Sequence, residues 1–227
     1  MTSTRLGILG GTFDPVHFGH LDAASAATSS FRLDEVVLIP AHDQPLRVME
    51  PRASAYHRFA LAVLALAAQP HWHVSEMELL RQGRSYTEET LRALHASGWR
   101  ASQLFFILGS DAFAGIAAWH GYPMFLDLAH FVVIARPGTS IEDATLRTPT
   151  LRARICPVPR EPVAPDDPTR IFLVHADTRD VSSTMIRERL AGGQSIDDLV
   201  PPDVARHIYK HHLYGAVDSL HGEDERI

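Results

Sequence analysis

Short apolar runs of strand length recur along the chain, separated by more polar stretches. Several of these runs are continuous rather than alternating, which is typical of central strands that are covered on both faces in a parallel sheet. We therefore predict strands at residues 6–9, 36–39, 72–74, 104–108, 131–135 and 171–174.

Stretches of helical character lie between and after these runs. The predicted helices span residues 21–30, 53–68, 87–96, 112–119, 124–128, 183–190 and 202–212. Strands that alternate with helices predict an α/β protein with a doubly wound, Rossmann-like parallel sheet, and the last two helices predict a C-terminal helical cap at about 177–215. We expect one domain over residues 1–215, a Pro-rich surface loop at 157–168 and a polar tail at 216–227.

Composition narrows the class of protein. The chain has 227 residues and a net charge of −6, which gives no electrostatic indication of a nucleic-acid partner. Cys156 is its one cysteine, so an intrachain disulfide is excluded and a reducing compartment is favoured. Without an apolar run long enough for a signal peptide or a membrane span, we expect a cytoplasmic protein with no membrane partner.

The main candidate for chemistry is the string GGTFDPVHFGH at residues 10–20, between the first predicted strand and the first predicted helix. Glycines allow the backbone to turn tightly near a ligand, and a helix N-terminus attracts anions. His17 and His20 lie three residues apart, so both imidazoles can face one pocket. A metal site is the alternative, but no third ligand has useful spacing. The predicted phosphate site comprises Gly10, Gly11, Thr12, Phe13, His17, Gly19 and His20.

A second candidate is the string SSTMIR at residues 182–187. Ser182, Ser183 and Thr184 are suited to capping the helix that follows, and the same helix end can also receive a phosphate. Arg187 follows Ser183 by four residues, so a phosphate at this helix end would also meet a guanidinium group.

Asp111 and Trp119 each have two interpretations. Asp111 is predicted either to cap a helix that starts at residue 112 or to accept hydrogen bonds from ribose hydroxyls. Trp119 is either a core residue or a surface residue near a helix end, since His120 and Gly121 follow it.

These strings together resemble a known family. The first is similar to the (H/T)xGH signature of the nucleotidyltransferase superfamily, in the form GGTFDPxHxGH found in bacterial nicotinate-nucleotide adenylyltransferases, and the second resembles their SSTxIR motif. Four further motifs of the family, SYT, GxD, W and RPG, are matched between these two strings. In the same order, the matching residues are Ser85-Tyr86-Thr87, Gly109-Ser110-Asp111, Trp119 and Arg136-Pro137-Gly138. The resemblance covers about residues 5 to 215. It departs at the family's PPHK-like loop, where this chain has Gln44-Pro45-Leu46-Arg47, with His42 displaced upstream.

The resemblance implies adenylyl transfer from ATP to nicotinate mononucleotide in NAD biosynthesis, which yields nicotinate adenine dinucleotide and pyrophosphate with Mg²⁺ bridging phosphate oxygens. It implies that His17, His20 and Arg187 stabilise the triphosphate, and that the first string and residues 182–184 bind ATP.

For the acceptor, the resemblance implies that the pyridine ring stacks near Trp119 while main-chain N–H groups around Thr87 and His120 read its carboxylate. Asp111, Arg47 and Arg136 complete the predicted substrate site. Two alternatives remain open at this point: adenylyl or cytidylyl transfer to another phosphomonoester such as phosphopantetheine, and a nucleotide-binding module without turnover. The oligomeric state is also left open.

Overall fold

The computed structural model describes residues 4–46, 49–81, 83–135, 149–161, 163–164 and 167–216. Within these ranges seven strands form one parallel sheet in the order β3-β2-β1-β4-β5-β7-β6. The strands are β1 (Leu6–Gly11), β2 (Glu35–Pro40), β3 (Trp72–Val74), β4 (Leu104–Gly109), β5 (His130–Ala135), β6 (Ile155–Cys156) and β7 (Ile171–His175). The predicted doubly wound α/β fold is confirmed.

The α-helices of the described residues are α1 (Phe18–Phe31), α2 (Ala55–Ala65), α3 (Met77–Arg81), α4 (Thr87–Ala96), α5 (Ser110–Ala114), α6 (Ser183–Ala191) and α7 (Pro202–Lys210). The prediction of one helix over 112–119 is wrong, because Gly115 ends α5 and a 3-10 helix, Ile116–Ala118, follows. The predicted helix at 124–128 is a 3-10 helix, Met124–Asp127. α2 is shorter than predicted, since Ser54 caps its first turn.

Alternating residues of each strand pack into two hydrophobic clusters, one on each face of the sheet. On β1, Leu9 joins the cluster that includes Ala24 of α1 and Leu61 of α2. Ile8 joins the other cluster, which includes Leu91 of α4. Because both faces are covered, the central strands β1, β4 and β5 are apolar over most of their length, which explains their continuous hydrophobic runs.

The C-terminal helices pack on the first of these clusters. Ile186 of α6 and Val204 and Ile208 of α7 are fully buried in it. The predicted helical cap therefore shares a core with the sheet. From residue 217 onwards, the predicted polar tail lies outside the described residues. No helix in the described part of the chain has the length and apolar character needed to cross a membrane.

The strand order reverses beside β1, which pairs with β2 on one side and with β4 on the other. In open parallel sheets, ligands bind beyond the carboxyl ends of the strands at such a reversal. Gly10 and Gly11 end β1 and Gly109 ends β4. The fold therefore brings the first predicted motif and the Gly109–Asp111 segment to the same edge.

Candidate active site

Two cavities adjoin at this edge of the sheet. The smaller one has a volume of about 250 Å³ and is lined by Gly10, Gly11 and His20, among others. The larger one, of about 540 Å³, is lined by Tyr86 and His120, among others. Residues that line both cavities include Gln44, Ser85, Thr87, Asp111 and Trp119. The shared lining residues join the two cavities into one site at the strand reversal.

The two histidines of the first motif lie against each other at the start of α1. His17 is the N-cap residue, and its backbone N–H donates to Nδ1 of His20 over 3.2 Å. The ring centroids are 3.7 Å apart. Because Nδ1 of His20 accepts this bond, the proton of the neutral ring is on Nε2. His20 lines the smaller cavity, whereas His17 is 2% exposed.

The rest of the first motif is closely packed. A Cβ atom at Gly19 would lie 3.1 Å from Val181 and 3.2 Å from Nδ1 of His17, so the close approach of α1 to the segment before α6 favours glycine. Phe13 is buried and meets the His20 ring edge-on at 5.0 Å. Thr12 donates from its hydroxyl to Oε1 of Gln44 over 2.7 Å.

The second motif packs directly on the first. Ser182 caps α6, as predicted, because its hydroxyl accepts from the Met185 N–H. Ser183 donates to the carbonyl oxygen of Pro15 over 2.8 Å, and Arg187 donates to the carbonyl oxygen of Asp14 over 2.7 Å. The Arg187 guanidinium thus holds the turn between β1 and α1. Contact of this second motif with a phosphate stays a prediction.

An ion pair joins the segment before α6 to α1. The Arg179 guanidinium donates to both carboxylate oxygens of Asp22, over 2.9 and 2.7 Å, and lies 3.7 Å from the Phe18 ring centroid. The hydrogen bonds from Arg179 lower the pKa of the Asp22 carboxyl. A bidentate pair fixes both distance and orientation, so the N-termini of α1 and α6 are held side by side.

The larger cavity is built around Trp119. Its indole packs against Phe106 and Phe125, with ring centroids 6.2 and 6.0 Å away, and Trp119 also lines both cavities. Trp119 therefore packs on core residues and borders the site, while its stacking on a substrate ring stays a prediction. Asp111 is not the helix cap, since Gly109 precedes the first turn of α5 and Asp111 lies within that turn.

The predicted carboxylate-reading segments meet at the larger cavity. Tyr86 is the N-cap residue of α4 and offers no side-chain hydrogen bond to the first turn. Its ring lies 4.4 Å from that of His120, whose Nδ1 is 3.5 Å from a carboxylate oxygen of Glu88. Gly121 has a φ of +77°, and a Cβ there would overlap this carboxylate. The left-handed φ favours glycine at this position, where Glu88 packs against the loop.

Sequence reasoning missed several residues that shape the site. Arg58 is 2% exposed and donates to the carbonyl oxygens of Thr12 and Ala41 over 2.8 and 2.7 Å. The buried carboxylate of Asp14 accepts from the backbone N–H groups of residues 52 and 53. Glu78 lines the smaller cavity at 8% exposure. A polar residue within an otherwise apolar helix face was the available signal for Arg58.

Two predicted ligands, Arg47 and Arg136, lie outside the described residues. In the ranges that the structure does describe, no group of three or more His, Cys, Asp or Glu side chains is arranged to hold a metal ion.

Comparison with known proteins identifies the family. Residues 8–189 match the model of the cytidylyltransferase-like family. Over 214 residues the chain is 41% identical to a probable nicotinate-nucleotide adenylyltransferase of Roseiflexus sp. (strain RS-1), covering 94% of this chain and 100% of that protein. A protein of the same description from Mycobacterium avium (strain 104) is 39% identical over 208 residues, covering 92% and 91% of the two chains.

Solved structures share the fold at low sequence identity. The nicotinic acid mononucleotide adenylyltransferase of Plasmodium falciparum, complexed with APC, has a TM-score of 0.67 and 17% identity, covering 95% of this chain and 99% of that one. The same enzyme complexed with NaAD has a TM-score of 0.65. The site and these relatives together define a nucleotidyltransferase. The chain belongs to the nicotinate-nucleotide adenylyltransferases of the cytidylyltransferase-like family.

Proposed function

We propose that this protein transfers the adenylyl group of ATP to nicotinate mononucleotide, which yields nicotinate adenine dinucleotide and pyrophosphate. The observation that carries the proposal is the pair of adjoining cavities at the strand reversal. The phosphate-type motif and His20 line one cavity, and Trp119, beside His120, lines the other. Such an arrangement suits two anionic substrates that must meet end to end.

The chemistry needs no side-chain nucleophile. A phosphate oxygen of nicotinate mononucleotide attacks the α-phosphorus of ATP, a new O–P bond forms, and the bond to the pyrophosphate leaving group breaks. The second pKa of a phosphate monoester is about 6, so the attacking group is largely ionised near neutral pH. Catalysis then depends on holding both substrates in line and stabilising the charge that develops on the triphosphate.

In this proposal the histidines, Arg187, the glycines and Asp111 have defined roles. The Nε2–H of His20 donates to the triphosphate, His17 orients the His20 ring, and Arg187 adds positive charge at the start of α1. The glycines at 10, 11 and 19 allow the nucleotide to approach the backbone. Mg²⁺ bound with ATP would supply further neutralisation of the phosphate charge, while Asp111 accepts from ribose hydroxyls.

Recognition of the acceptor is proposed at the larger cavity. The pyridine ring stacks near Trp119, and main-chain N–H groups around Thr87 and His120 donate to its carboxylate. An amide in that place would turn its NH₂ group towards a donor, and one unsatisfied buried polar group costs about 1 to 3 kcal/mol. We therefore expect nicotinate mononucleotide to be preferred over the nicotinamide form about tenfold to a hundredfold in kcat/KM.

The test is pyrophosphate release from ATP with a panel of phosphomonoesters: nicotinate mononucleotide, nicotinamide mononucleotide and phosphopantetheine. We expect turnover with the first in the presence of Mg²⁺, and a fall in kcat of about a hundredfold in His20→Ala, which removes one preorganised donor. The exposed His73 on β3 provides a matched control as His73→Ala. Equal turnover with phosphopantetheine would refute the assigned acceptor, and absence of turnover with every acceptor would support a binding module.

A further inference from the structure

Glu78, on α3, has a buried carboxyl group that takes no part in the proposed adenylyl transfer. It is 8% exposed and lines the smaller cavity. The Thr90 hydroxyl donates to its Oε1 over 2.5 Å, and the Ser85 side chain forms a second hydrogen bond with it. Burial raises the pKa of the Glu78 carboxyl, while these two hydrogen bonds oppose the rise. A buried carboxyl with two hydroxyl partners joins α3 to α4 and to the segment before α4.

Ser85 also receives a hydrogen bond from the loop that follows β2. The backbone N–H of His42 donates to the Ser85 hydroxyl oxygen over 2.9 Å. An ionised carboxylate has no proton to donate, so the Glu78 carboxylate accepts from both hydroxyls. The Ser85 N–H, in turn, donates to the carbonyl oxygen of Asp43 over 2.7 Å. Ser85 therefore joins Glu78 to the backbone of the loop that follows β2.

This loop and the start of α4 form one wall of the site. Gln44 follows Asp43, lines both cavities, and accepts from the Thr12 hydroxyl of the first motif. Residues 84–87, which Glu78 holds through Ser85, all line the larger cavity, whereas only Ser85 and Thr87 among them line the smaller one. Although Glu78 itself lines the smaller cavity, a change in its hydrogen bonds would therefore displace the wall mainly on the side of the larger cavity.

We propose that Glu78 is a positioning residue for the pyridine mononucleotide: by accepting from the Ser85 and Thr90 hydroxyls, it fixes the wall against which the ring and its carboxylate bind. The inference rests on the proposed function, since it assigns that wall to the acceptor. Glu78 acts through Ser85 and Thr90 rather than on the reacting phosphates. Its loss should therefore change the binding of the acceptor much more than the binding of ATP.

The test compares Glu78→Gln with the matched control Glu161→Gln. The amide that replaces the Glu78 carboxylate would keep the shape of the side chain, but an NH₂ donor takes the place of one acceptor oxygen, so one hydroxyl can no longer donate to it. Glu161 is exposed and lines neither cavity, so its change removes an equal charge outside the site. We expect Glu78→Gln to raise KM for nicotinate mononucleotide about five- to tenfold, as for one lost hydrogen bond, with KM for ATP within about twofold and Glu161→Gln unchanged.

A second variant keeps the test decisive if Glu78→Gln does not fold. Thr90→Val removes one donor from the other side of the same bond, and we expect it to raise KM for nicotinate mononucleotide about threefold or more while KM for ATP stays within about twofold. Equal changes in both KM values, or no change in either, would overturn the inference. A wild-type protein that does not turn over nicotinate mononucleotide would overturn the proposed function and this inference with it.

Discussion

His130 should make the protein sensitive to acid. It lies on β5, is fully buried, and is stacked on Phe105 at a ring-centroid distance of 4.9 Å. Its Nδ1 accepts the backbone N–H of Arg170 over 3.1 Å. Its Nε2 has no hydrogen-bond partner among the described residues. The site therefore suits the neutral ring and offers the charged ring little compensation.

The size of the effect follows from the pKa. Burial, the main cause, lowers the pKa of His130 from 6.5 to about 4. Because the folded-state pKa is depressed, the stabilisation is fully present above pH 6.5 and is lost as the pH falls towards 4. Each pKa unit corresponds to about 1.36 kcal/mol, so the neutral His130 contributes about 3 kcal/mol to the free energy of unfolding above pH 6.5. About 2 kcal/mol of it should be lost between pH 7 and pH 5.

Urea unfolding of the wild type and His130→Asn at several pH values measures this contribution. The Asn side-chain oxygen can take the place of Nδ1 as acceptor for the Arg170 N–H, but it does not titrate. The variant should be less stable at pH 7, because the stacked ring is lost. Its deficit in unfolding free energy should shrink by about 2 kcal/mol at pH 5.

The exposed His73 on β3 is the control, since His73→Asn removes a histidine that is not buried. Its difference from the wild type should stay constant over the same pH range. If the deficit of His130→Asn is also constant from pH 7 to pH 5, the reasoning about burial is refuted.

Two further substitutions test the connections beneath the site. Arg58→Lys should lower the free energy of unfolding by about 2 kcal/mol, because one ammonium cannot take the place of both Nη1, which donates to the carbonyl oxygens of Thr12 and Ala41, and Nη2, which donates to that of residue 42. Unchanged urea unfolding would contradict this. Arg187→Lys keeps the charge but loses the contact that orients the Asp14 turn. We expect its kcat/KM to fall at least about tenfold, and wild-type kinetics would remove Arg187 from the mechanism.

Much of the fold could be predicted from the sequence because burial on both faces leaves a strong local signal. All six predicted strands are present, and α4 has the predicted bounds. β6 and α3 were missed, since two and five residues are too few to show a hydrophobic period. The helix predicted at 112–119 failed at Gly115, where a single glycine ends the α-helical path.

The site was predictable where its residues are adjacent in sequence. The pairing of His17 with His20 and the capping by Ser182 depend on spacings of three residues. Arg58 and Glu78 could not be placed in this way. Their partners are up to 46 residues away, and the acceptors of Arg58 are backbone carbonyl groups that every residue carries.

This use of backbone atoms gives a physical reason why the loop after β2 can depart from the family pattern. Arg58 holds the carbonyl oxygens of residues 41 and 42, and Ser85 holds the N–H of residue 42 and the carbonyl oxygen of residue 43. None of these bonds uses a side chain of the segment that departs from the family pattern, which is residues 44–47. The base of the loop is therefore fixed by two residues outside it, so the sequence that follows Asp43 can change without displacing that base.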